Sequence, residues 1–357
     1  SVTELTYEII FKGSRVQDYT YLLHNNGGDT STGNSFCTFG WYSNTNYIYG
    51  AFNGQYASMY DNTTVIESSR FYYLTLVWNG STQKFYINGV EKKSQNLGSI
   101  TKTLSTTTSI GGEKNASHRM FDGLVPTVKT YTKALSQSEI NQNYYQAPIV
   151  TDGLVLAVDA GNLVSYESGS TTTYSLTGSL SGSLINGVGF DSGNGGSWVF
   201  DGVDDYIDLG NQSLISGDFC IDLWYKLTEN KEHYIFTTGY NSAGSILIFS
   251  DGIWLNSSST NGRLPGAPGR ILNEITNITV ERTNGVAKWY KNGIYQYSLS
   301  YSGTISSNTN YSIGWAVPRN KSSAYMEGEL YSAKVYNKGF TAGEVQQNYK
   351  ANINKFN

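Results

Sequence analysis

The sequence predicts an all-β protein made of two homologous sandwich domains, each ending in a short helix. Its 357 residues include 39 Gly and 29 Tyr but only 5 Pro, and 15% of them are charged. This composition is typical of many short strands joined by tight Gly, Asn and Ser turns, which favours a β-sandwich. The length suits two domains, each large enough to bury its own core.

The closing helix of each domain is predicted from a segment that occurs twice. The copies read VKTYTKALSQSEINQNYYQA at residues 128–147 and AKVYNKGFTAGEVQQNYKA at residues 333–351. Ser136 with Glu139, and Thr341 with Glu344, have the S/T-x-x-E spacing of a capping box, which starts a helix. The neighbouring apolar residues are spaced to form a hydrophobic staple and one buried stripe on each helix. They are Leu135, Ile140 and Tyr144 in the first copy, and Phe340, Val345 and Tyr349 in the second.

Asn-Gly pairs mark the hairpins of both halves. Asn88-Gly89 and Asn292-Gly293 each lie between two strand-like runs, which predicts a two-residue hairpin with a type I′ turn. A second Asn-Gly pair precedes each of them, at residues 79–80 and 284–285. Each half should therefore contain a meander of three antiparallel strands.

The two halves differ at their beginnings. We assign the first domain to residues 1–147, a link to residues 148–152 and the second domain to residues 153–357. The alternating strand in Ser1 to Lys12 corresponds to Phe219 to Lys226, but only the second domain has a long stretch, residues 153–218, ahead of that strand. The first domain should therefore have an open sheet edge, which proteins normally cover or pair. We expect either that residues precede Ser1 or that another chain supplies the missing strands.

Charge and cysteine content exclude several classes of protein. A net charge of −4 without a Lys/Arg stripe argues against a nucleic-acid partner. No apolar run is long enough for membrane insertion, and Ser1 to Lys12 lack the shape of a signal peptide. Cys37 and Cys220 do not correspond in the repeat, so we expect two buried free thiols and no disulfide.

Two regions are predicted to be loops. Residues 13–70 contain polar and aromatic stretches such as Gly40 to Asn44. Residues 256–270 (NSSSTNGRLPGAPGR) form a low-complexity stretch with two of the five prolines. Long loops face solvent and often carry binding specificity.

The chain resembles the concanavalin A-like lectin/glucanase superfamily in its laminin-G-like branch. The resemblance rests on VFDGVDDYI at residues 199–207, IDLWYK at 221–226, WYKNG at 289–293 and the repeated helix segment. It implies two tandem concanavalin A-like jelly-roll sandwiches, each closed by a short C-terminal helix. GLVLAVDAGN at residues 153–162, together with the second helix segment, is similar to tandem domains of virion structural proteins in tailed bacteriophages. That similarity implies a fibre, spike or capsid decoration.

The sequence does not carry the catalytic motif of the glucanases that it resembles. Those enzymes place Glu-x-Asp-x-x-Glu on one strand, because a retaining mechanism needs two carboxyl groups about 5 Å apart. Asp222 lacks flanking acids, and Glu327 and Glu329 lack the central Asp and are expected to pair with Lys or Arg. We therefore expect a protein that is not an enzyme. A hydrolase or lyase would need carboxylates brought together from separate strands.

An acidic run in the second domain is a candidate calcium site. Asp201, Asp204 and Asp205 offer carboxylate oxygens within one short turn, which suits Ca²⁺. The resemblance points the same way, because several members of the superfamily bind calcium. The alternative is that residues 201 and 202 form a turn while the other acids face solvent.

Aromatic and amide or guanidinium side chains in loops are candidates for glycan binding. Sugar C–H faces stack on aromatic rings, and sugar hydroxyls bond to planar polar groups. The candidates are Trp41, Tyr42, His118 and Arg119 in the first domain, and Tyr240, Trp254, Arg263, Trp315 and Arg319 in the second. Any one of these aromatic rings could instead serve packing.

The function expected from sequence is a virion surface component that binds a host-surface glycan or mediates particle contacts. Assembly in the bacterial host cytoplasm fits the missing signal peptide and the absent disulfides. Other virion proteins are the expected partners, and a homo-oligomer is the expected state. The alternative is a secreted or cell-surface carbohydrate-binding adhesion module.

Overall fold

The computed structural model confirms an all-β chain with a short helix at the end of each half. It describes residues 2–15, 20–25, 37–42, 45–52, 58–98, 107–112, 119–239, 244–256, 261–266, 268–305, 309–316, 324–353 and 355–356. The chain divides into two compact units, Ser1–Gln146 (unit 1) and Ala147–Asn357 (unit 2). Each unit is a sandwich of two antiparallel sheets, here called A and B.

Unit 1 has two five-stranded sheets. Sheet 1A has the order β10-β1-β6-β7-β8, and sheet 1B has the order β5-β4-β3-β2-β9. The elements are β1 Leu5–Arg15, β2 Tyr21–Asn25, β3 Cys37–Trp41, β4 Ile48–Phe52, β5 Tyr60–Asp61, β6 Tyr72–Trp78, β7 Thr82–Ile87, β8 Val90–Asn96, β9 Thr108–Ile110, β10 Phe121–Tyr131 and α1 Gln137–Tyr145.

Unit 2 has two eight-stranded sheets. Sheet 2A has the order β14-β15-β26-β17-β22-β23-β24, with β11 also paired to β26, and sheet 2B has the order β12-β13-β16-β25-β18-β19-β20-β21. The elements are β11 Leu154–Asp159, β12 Thr172–Tyr174, β13 Ser181–Ile185, β14 Gly189–Asp191, β15 Ser197–Asp201, β16 Tyr206–Gln212, β17 Phe219–Leu227, β18 Tyr234–Thr237, β19 Ile246–Phe249, β20 Gly252–Asn256, β21 Asn261–Leu264, β22 Thr276–Thr283, β23 Val286–Lys291, β24 Ile294–Ser300, β25 Thr309–Ile313, β26 Glu327–Tyr336 and α2 Ala342–Ile353.

The predicted meanders are confirmed as β6-β7-β8 and β22-β23-β24. Asn88 and Gly89 have φ of 51° and 76°, and Asn292 and Gly293 have 49° and 73°. Positive φ at both central positions defines the type I′ turn, whose twist matches that of the flanking strands. Glycine and asparagine adopt this region at the lowest steric cost.

The two predicted helices are present, and each starts with the expected capping box. In α1 the Glu139 N–H donates to Ser136 Oγ, while the Ser136 N–H donates to Glu139 Oε2 at 2.9 Å. In α2 the Thr341 N–H donates to Glu344 Oε2 at 2.8 Å in the same way. The predicted stripes are buried: Ile140 and Tyr144 in α1, and Val345 in α2, where Tyr349 stacks on Trp224 at 5.6 Å.

Removing either cap should destabilise its own unit. We expect Ser136→Ala and Thr341→Ala each to lower the free energy of unfolding by about 1 kcal/mol, because one helix N–H loses its acceptor. Urea denaturation of the full chain measures the change. Ser138→Ala, at an exposed position inside α1, is the control. An effect of Ser136→Ala no larger than that of the control would contradict a capping role.

Each unit buries one main core between its sheets. Trp78 and Trp198 are 1% and 0% exposed, and Cys37 and Cys220 are buried free thiols, as expected from sequence. A second apolar cluster lies beneath α2 and joins Tyr336, Phe340 and Val345 to residues of β17 and β23. Val150, within the predicted link, belongs to this cluster, and its N–H donates to Asn348 Oδ1 at 2.8 Å.

Both loop predictions were partly wrong. Residues 13–70 contain β2, β3 and β4, whose residues are all buried. In β2 (YLLHN) and β4 (IYGAF) apolar residues are adjacent, so the strand period is hidden, whereas β3 (CTFGW) does alternate and was missed nonetheless. In the stretch 256–270, Asn261–Leu264 forms β21 and pairs with β20.

Among the described strands, β10 is the outermost strand of sheet 1A. In unit 2, β26 pairs with β17 on one side and with both β11 and β15 on the other. The corresponding β10 pairs only with β1 among the described strands, and its side chains are exposed or half-buried. Pro126 lies in β10 and lacks an N–H, a feature typical of edge strands and bulges. What covers this edge stays a prediction.

Candidate functional site

The outer face of sheet 2B carries a row of aromatic side chains. Successive side chains of a strand point to opposite faces. Ile253 and Leu255 on β20 therefore fill the core, whereas Trp254 between them points outward and is 38% exposed. This aromatic row consists of Trp254 on β20, Phe249 on β19, Tyr234 on β18, Trp315 after β25 and Tyr325 before β26. Arg263 on β21 lies at its exposed end.

Trp254 and Arg263 are the exposed end of this row. They are direct cross-strand partners on β20 and β21. The guanidinium of Arg263 lies over the indole, 5.9 Å from its ring centroid, and Nη2 donates to the Asp251 carbonyl oxygen at 2.8 Å. Arg270 holds Asp251 through Nε and Oδ1 at 2.6 Å, and this bond lowers the pKa of the Asp251 carboxyl. The guanidinium and the part of the indole that it leaves exposed are therefore held together, two groups that a sugar ring can contact at the same time.

The centre of the row is packed more tightly. Trp315 is only 5% exposed, because Tyr325 stacks on it at 3.9 Å and Tyr234 meets it edge-on at 6.4 Å. Phe249 links this cluster to Trp254, with its ring centroid 6.3 Å from the indole. Trp315 therefore supports the row, and the half-buried Tyr325 is the ring beside it that reaches the surface.

The acidic residues Asp201, Asp204 and Asp205 converge as the sequence suggested. One carboxylate oxygen from each lies within 4.8 Å of the others. Asp205 is 4% exposed, its Oδ2 accepts from the Asp201 N–H at 3.2 Å, and its buried Oδ1 has no hydrogen-bond partner among the described residues. Burial, reinforced by the charges of Asp201 and Asp204, raises the pKa of Asp205 to about 6. Three carboxylates, one of them incompletely bonded, fit part of a Ca²⁺ shell.

In unit 1 the described candidates for glycan binding take part in different contacts. Tyr42 lies parallel to Tyr60 at 4.8 Å, and Tyr47 also lies parallel to Tyr60 at 5.7 Å, which makes a partly exposed tyrosine stack. Arg119 lies over the ring of Tyr21 and donates to its hydroxyl at 3.2 Å.

Trp41 requires a correction, because it is a core residue of β3. It is 2% exposed and packs against Phe11 and Phe121. His118, Tyr240 and Arg319 lie outside the described residues.

The carboxylates that come closest to the glucanase motif are already bound to other side chains of the protein. Glu327 pairs with Lys231 at 2.8 Å, and Glu329 pairs with Lys226, as the sequence analysis expected. Asp222 is fully buried, and its Oδ1 accepts from Asn277 Nδ2 at 2.7 Å.

Sequence reasoning missed the inner members of the aromatic row. Tyr234, Phe249 and Tyr325 were not singled out, because they lie at or near strand ends whose outer face could not be identified without the neighbouring strands. The run Ile246 to Phe249 is apolar throughout, so it carries no alternation from which the outer face could be identified.

The paired antiparallel sheets and their closing helices define tandem jelly-roll domains. The chain belongs to the concanavalin A-like lectin/glucanases superfamily, whose laminin-G family model matches residues 1–141 and 201–346. A comparison with curated protein sequences finds no significant match. Within the described part of the chain, neither helix is long and apolar enough to cross a membrane.

Several solved structures are similar to part of the chain. Domain 4 of an extracellular arabinanase from Geobacillus stearothermophilus, in complex with arabinotriose, shares 16% identity over 54% of this chain and 96% of its own, with a TM-score of 0.45. The binding domain of botulinum neurotoxin serotype D shares 15% identity over 57% of this chain and 52% of its own, with a TM-score of 0.44. The chain thus spans about half the length of the toxin structure. A pentraxin from Limulus polyphemus shares 16% identity over 42% of this chain and 78% of its own, with a TM-score of 0.33. Identities and scores of this size leave the function of the chain open.

Proposed function

We propose that the protein is a non-enzymatic carbohydrate-binding component of a virion surface. The observation that carries the binding proposal is the 38% exposed indole of Trp254 with the fixed guanidinium of Arg263 over part of it. A sugar ring can stack its C–H face on the indole while a hydroxyl accepts a hydrogen bond from the guanidinium. Because Arg263 and its neighbour Asp251 are already held in place, little ordering entropy is lost on binding.

Binding without catalysis is supported by the state of the candidate carboxylates. Glu327 and Glu329 are each neutralised by a lysine. An acid held in such a pair is poorly placed to protonate a leaving group or to attack an anomeric carbon. Incubation with polysaccharides, followed by reducing-end and unsaturated-product assays, tests this point. Release of either product would favour a hydrolase or a lyase.

The particle context is supported by the similarity of residues 153–162 and of the second helix segment to phage virion proteins. On this proposal the glycan is on the host surface, the other partners are virion proteins, and the chain is present as a homo-oligomer. Labelling of purified particles with an antibody against the chain tests the location. Labelling of a cell surface in the absence of particles would favour the adhesion module.

A glycan array with the full chain, joined to a host-cell binding assay, tests recognition itself. Saturable binding to a defined set of glycans is the expected result. A folded sample that binds no glycan and no cell would contradict recognition and favour a role in particle contacts alone.

We also propose that Asp201, Asp204 and Asp205 bind Ca²⁺. At pH 7, millimolar Ca²⁺ should stabilise unit 2, by about 2.7 kcal/mol when the free ion is at 100 times its dissociation constant. Thermal unfolding with Ca²⁺, Mg²⁺ or a chelator measures this. Asp205→Asn should lose most of the response, whereas Asp208→Asn, whose Oδ1 instead accepts from the Gly210 N–H, should keep it. An equal response of the two variants would contradict the site.

The same carboxyl predicts a pH dependence without calcium. The pKa of Asp205 rises from 3.8 to about 6 on folding, so the folded chain holds this proton more tightly than the unfolded chain. The stability that it contributes is fully present below about pH 4 and is lost as the pH rises to about 6, a loss of about 3 kcal/mol at most. Asp205→Asn should flatten this part of the stability profile.

A further inference from the structure

A cavity of about 320 Å³ opens in unit 2 among residues that no candidate site includes. It lies between the segment that follows β11 and the β13–β14 connection. Its residues, 166–190, fall outside the two ranges that the superfamily model matches. The volume is at the lower end of the range typical of small-molecule sites.

One side of the cavity is apolar and continuous with the core. Tyr166 is 3% exposed and packs edge-on against Trp198 at 5.5 Å. The ring of Phe190 lies 5.5 Å from that of Tyr166, and Leu184 and Val188 complete the apolar wall. Because Tyr166 and Leu184 belong to the main core of the unit, this wall is fixed before any ligand arrives.

The mouth of the cavity is polar but uncharged. Ser168, Ser170 and Thr171 line it, and none of the ten lining residues carries a charge. Ser170 Oγ donates to the Thr172 carbonyl oxygen at 2.9 Å, and the Leu184 N–H donates to the Thr171 carbonyl oxygen at 2.8 Å. These bonds hold the rim backbone against β13, so the Ser170 hydroxyl keeps a set position relative to the apolar wall.

We propose that this cavity binds a single neutral sugar ring that carries a methyl group. The hydroxyl rim fits the polar edge of a pyranose, and the wall of Leu184, Val188 and Phe190 fits an apolar substituent such as the methyl of a 6-deoxyhexose. An anionic sugar is disfavoured, because its charge would be desolvated without a partner. The cavity is separate from the Trp254 row, so either site can fail without the other.

Matched sugar pairs test the proposal on the full chain by isothermal titration calorimetry. D-Fucose and D-galactose differ only by the C6 hydroxyl, as do L-rhamnose and L-mannose. The methyl-bearing member of at least one pair should bind at least about tenfold more tightly, the discrimination that one apolar group gives in a fitted pocket. Equal affinity within both pairs, or no saturable binding of any of the four sugars, would overturn the proposal.

Two variants tie the binding to this cavity. Phe190→Ala removes the half-buried wall and should weaken binding about tenfold. Thr171→Trp places a large ring at the exposed rim and should block entry without touching the core. Ser179→Trp, exposed and outside the lining, is its control and should bind like the unchanged chain. Unchanged affinity in Thr171→Trp would refute the assignment even if Phe190→Ala proved unstable.

Discussion

Replacing Trp254 with alanine is expected to weaken glycan binding by about thirtyfold, the loss of about 2 kcal/mol found at binding hot spots. The indole is exposed, carries Arg263 over its face and is supported from below by Phe249. Its removal takes away the stacking surface and the group against which the guanidinium is held. Stability should change little, because the ring faces outward.

Titration of the glycan identified on the array measures the effect. Arg263→Lys should also weaken binding, because lysine keeps the charge but loses the planar fork and the stacking. Tyr297→Ala is the matched control, since Tyr297 is a 48% exposed aromatic residue on sheet 2A. Equal losses for Trp254→Ala and Tyr297→Ala would show that the row is not the binding surface.

Replacing Lys334 with alanine is expected to destabilise unit 2 by about 3 kcal/mol, because the buried Asp222 carboxylate loses a nearby positive charge. The Lys334 amine donates to Ser332 Oγ at 3.1 Å and acts on Asp222 through its charge. Lys334 is 4% exposed and is the register partner of the fully buried Asp222. Asp222 Oδ2 has no hydrogen-bond partner within the described part of the chain. Burial lowers the pKa of the Lys334 amine, and the charges of Asp222 and Asp159 oppose that shift. Without the amine, the Asp222 carboxylate would stay buried with less compensation.

The repeat supplies the control for this prediction. Lys129 occupies the same position in unit 1, where it is the register partner of Glu8, but it is exposed. Lys129→Ala should therefore change stability by no more than about 0.5 kcal/mol. Lys334→Met combined with Asp222→Asn should recover much of the loss, because no unpaired charge then remains at these two positions. Similar urea midpoints for Lys334→Ala and Lys129→Ala would contradict a stabilising effect of the Lys334 charge on Asp222.

Local motifs were predicted well because their causes are local. A type I′ turn at Asn88-Gly89 depends on two residues that tolerate positive φ, and a capping box at Ser136 depends on one side chain three residues away. The strands β2, β3 and β4 were missed for the opposite reason. Their burial on both faces comes from distant segments, and in β2 and β4 adjacent apolar residues hide the alternation by which a strand is recognised.

The candidate site was predicted in part. Trp254 with Arg263, and the three aspartates, were identified as residues, and the structure brings each set together. Trp41 and Trp315 were chosen as loop aromatics but are buried, because a tryptophan at a strand end can turn either to the core or to solvent. Only the strands packed beside it decide which.

The sequence by itself determined the repeat, the hairpins, the helix caps and the absence of a glucanase motif, because each is a relation between residues close in the chain. The tertiary structure decided which equivalent positions of the repeat are buried in one unit and exposed in the other. Lys334 is buried and Lys129 is exposed because β26 is flanked by β17 and β11, whereas β10 is flanked among the described strands by β1 alone. Burial depends on neighbours that the local sequence does not contain, so one repeated residue has two environments.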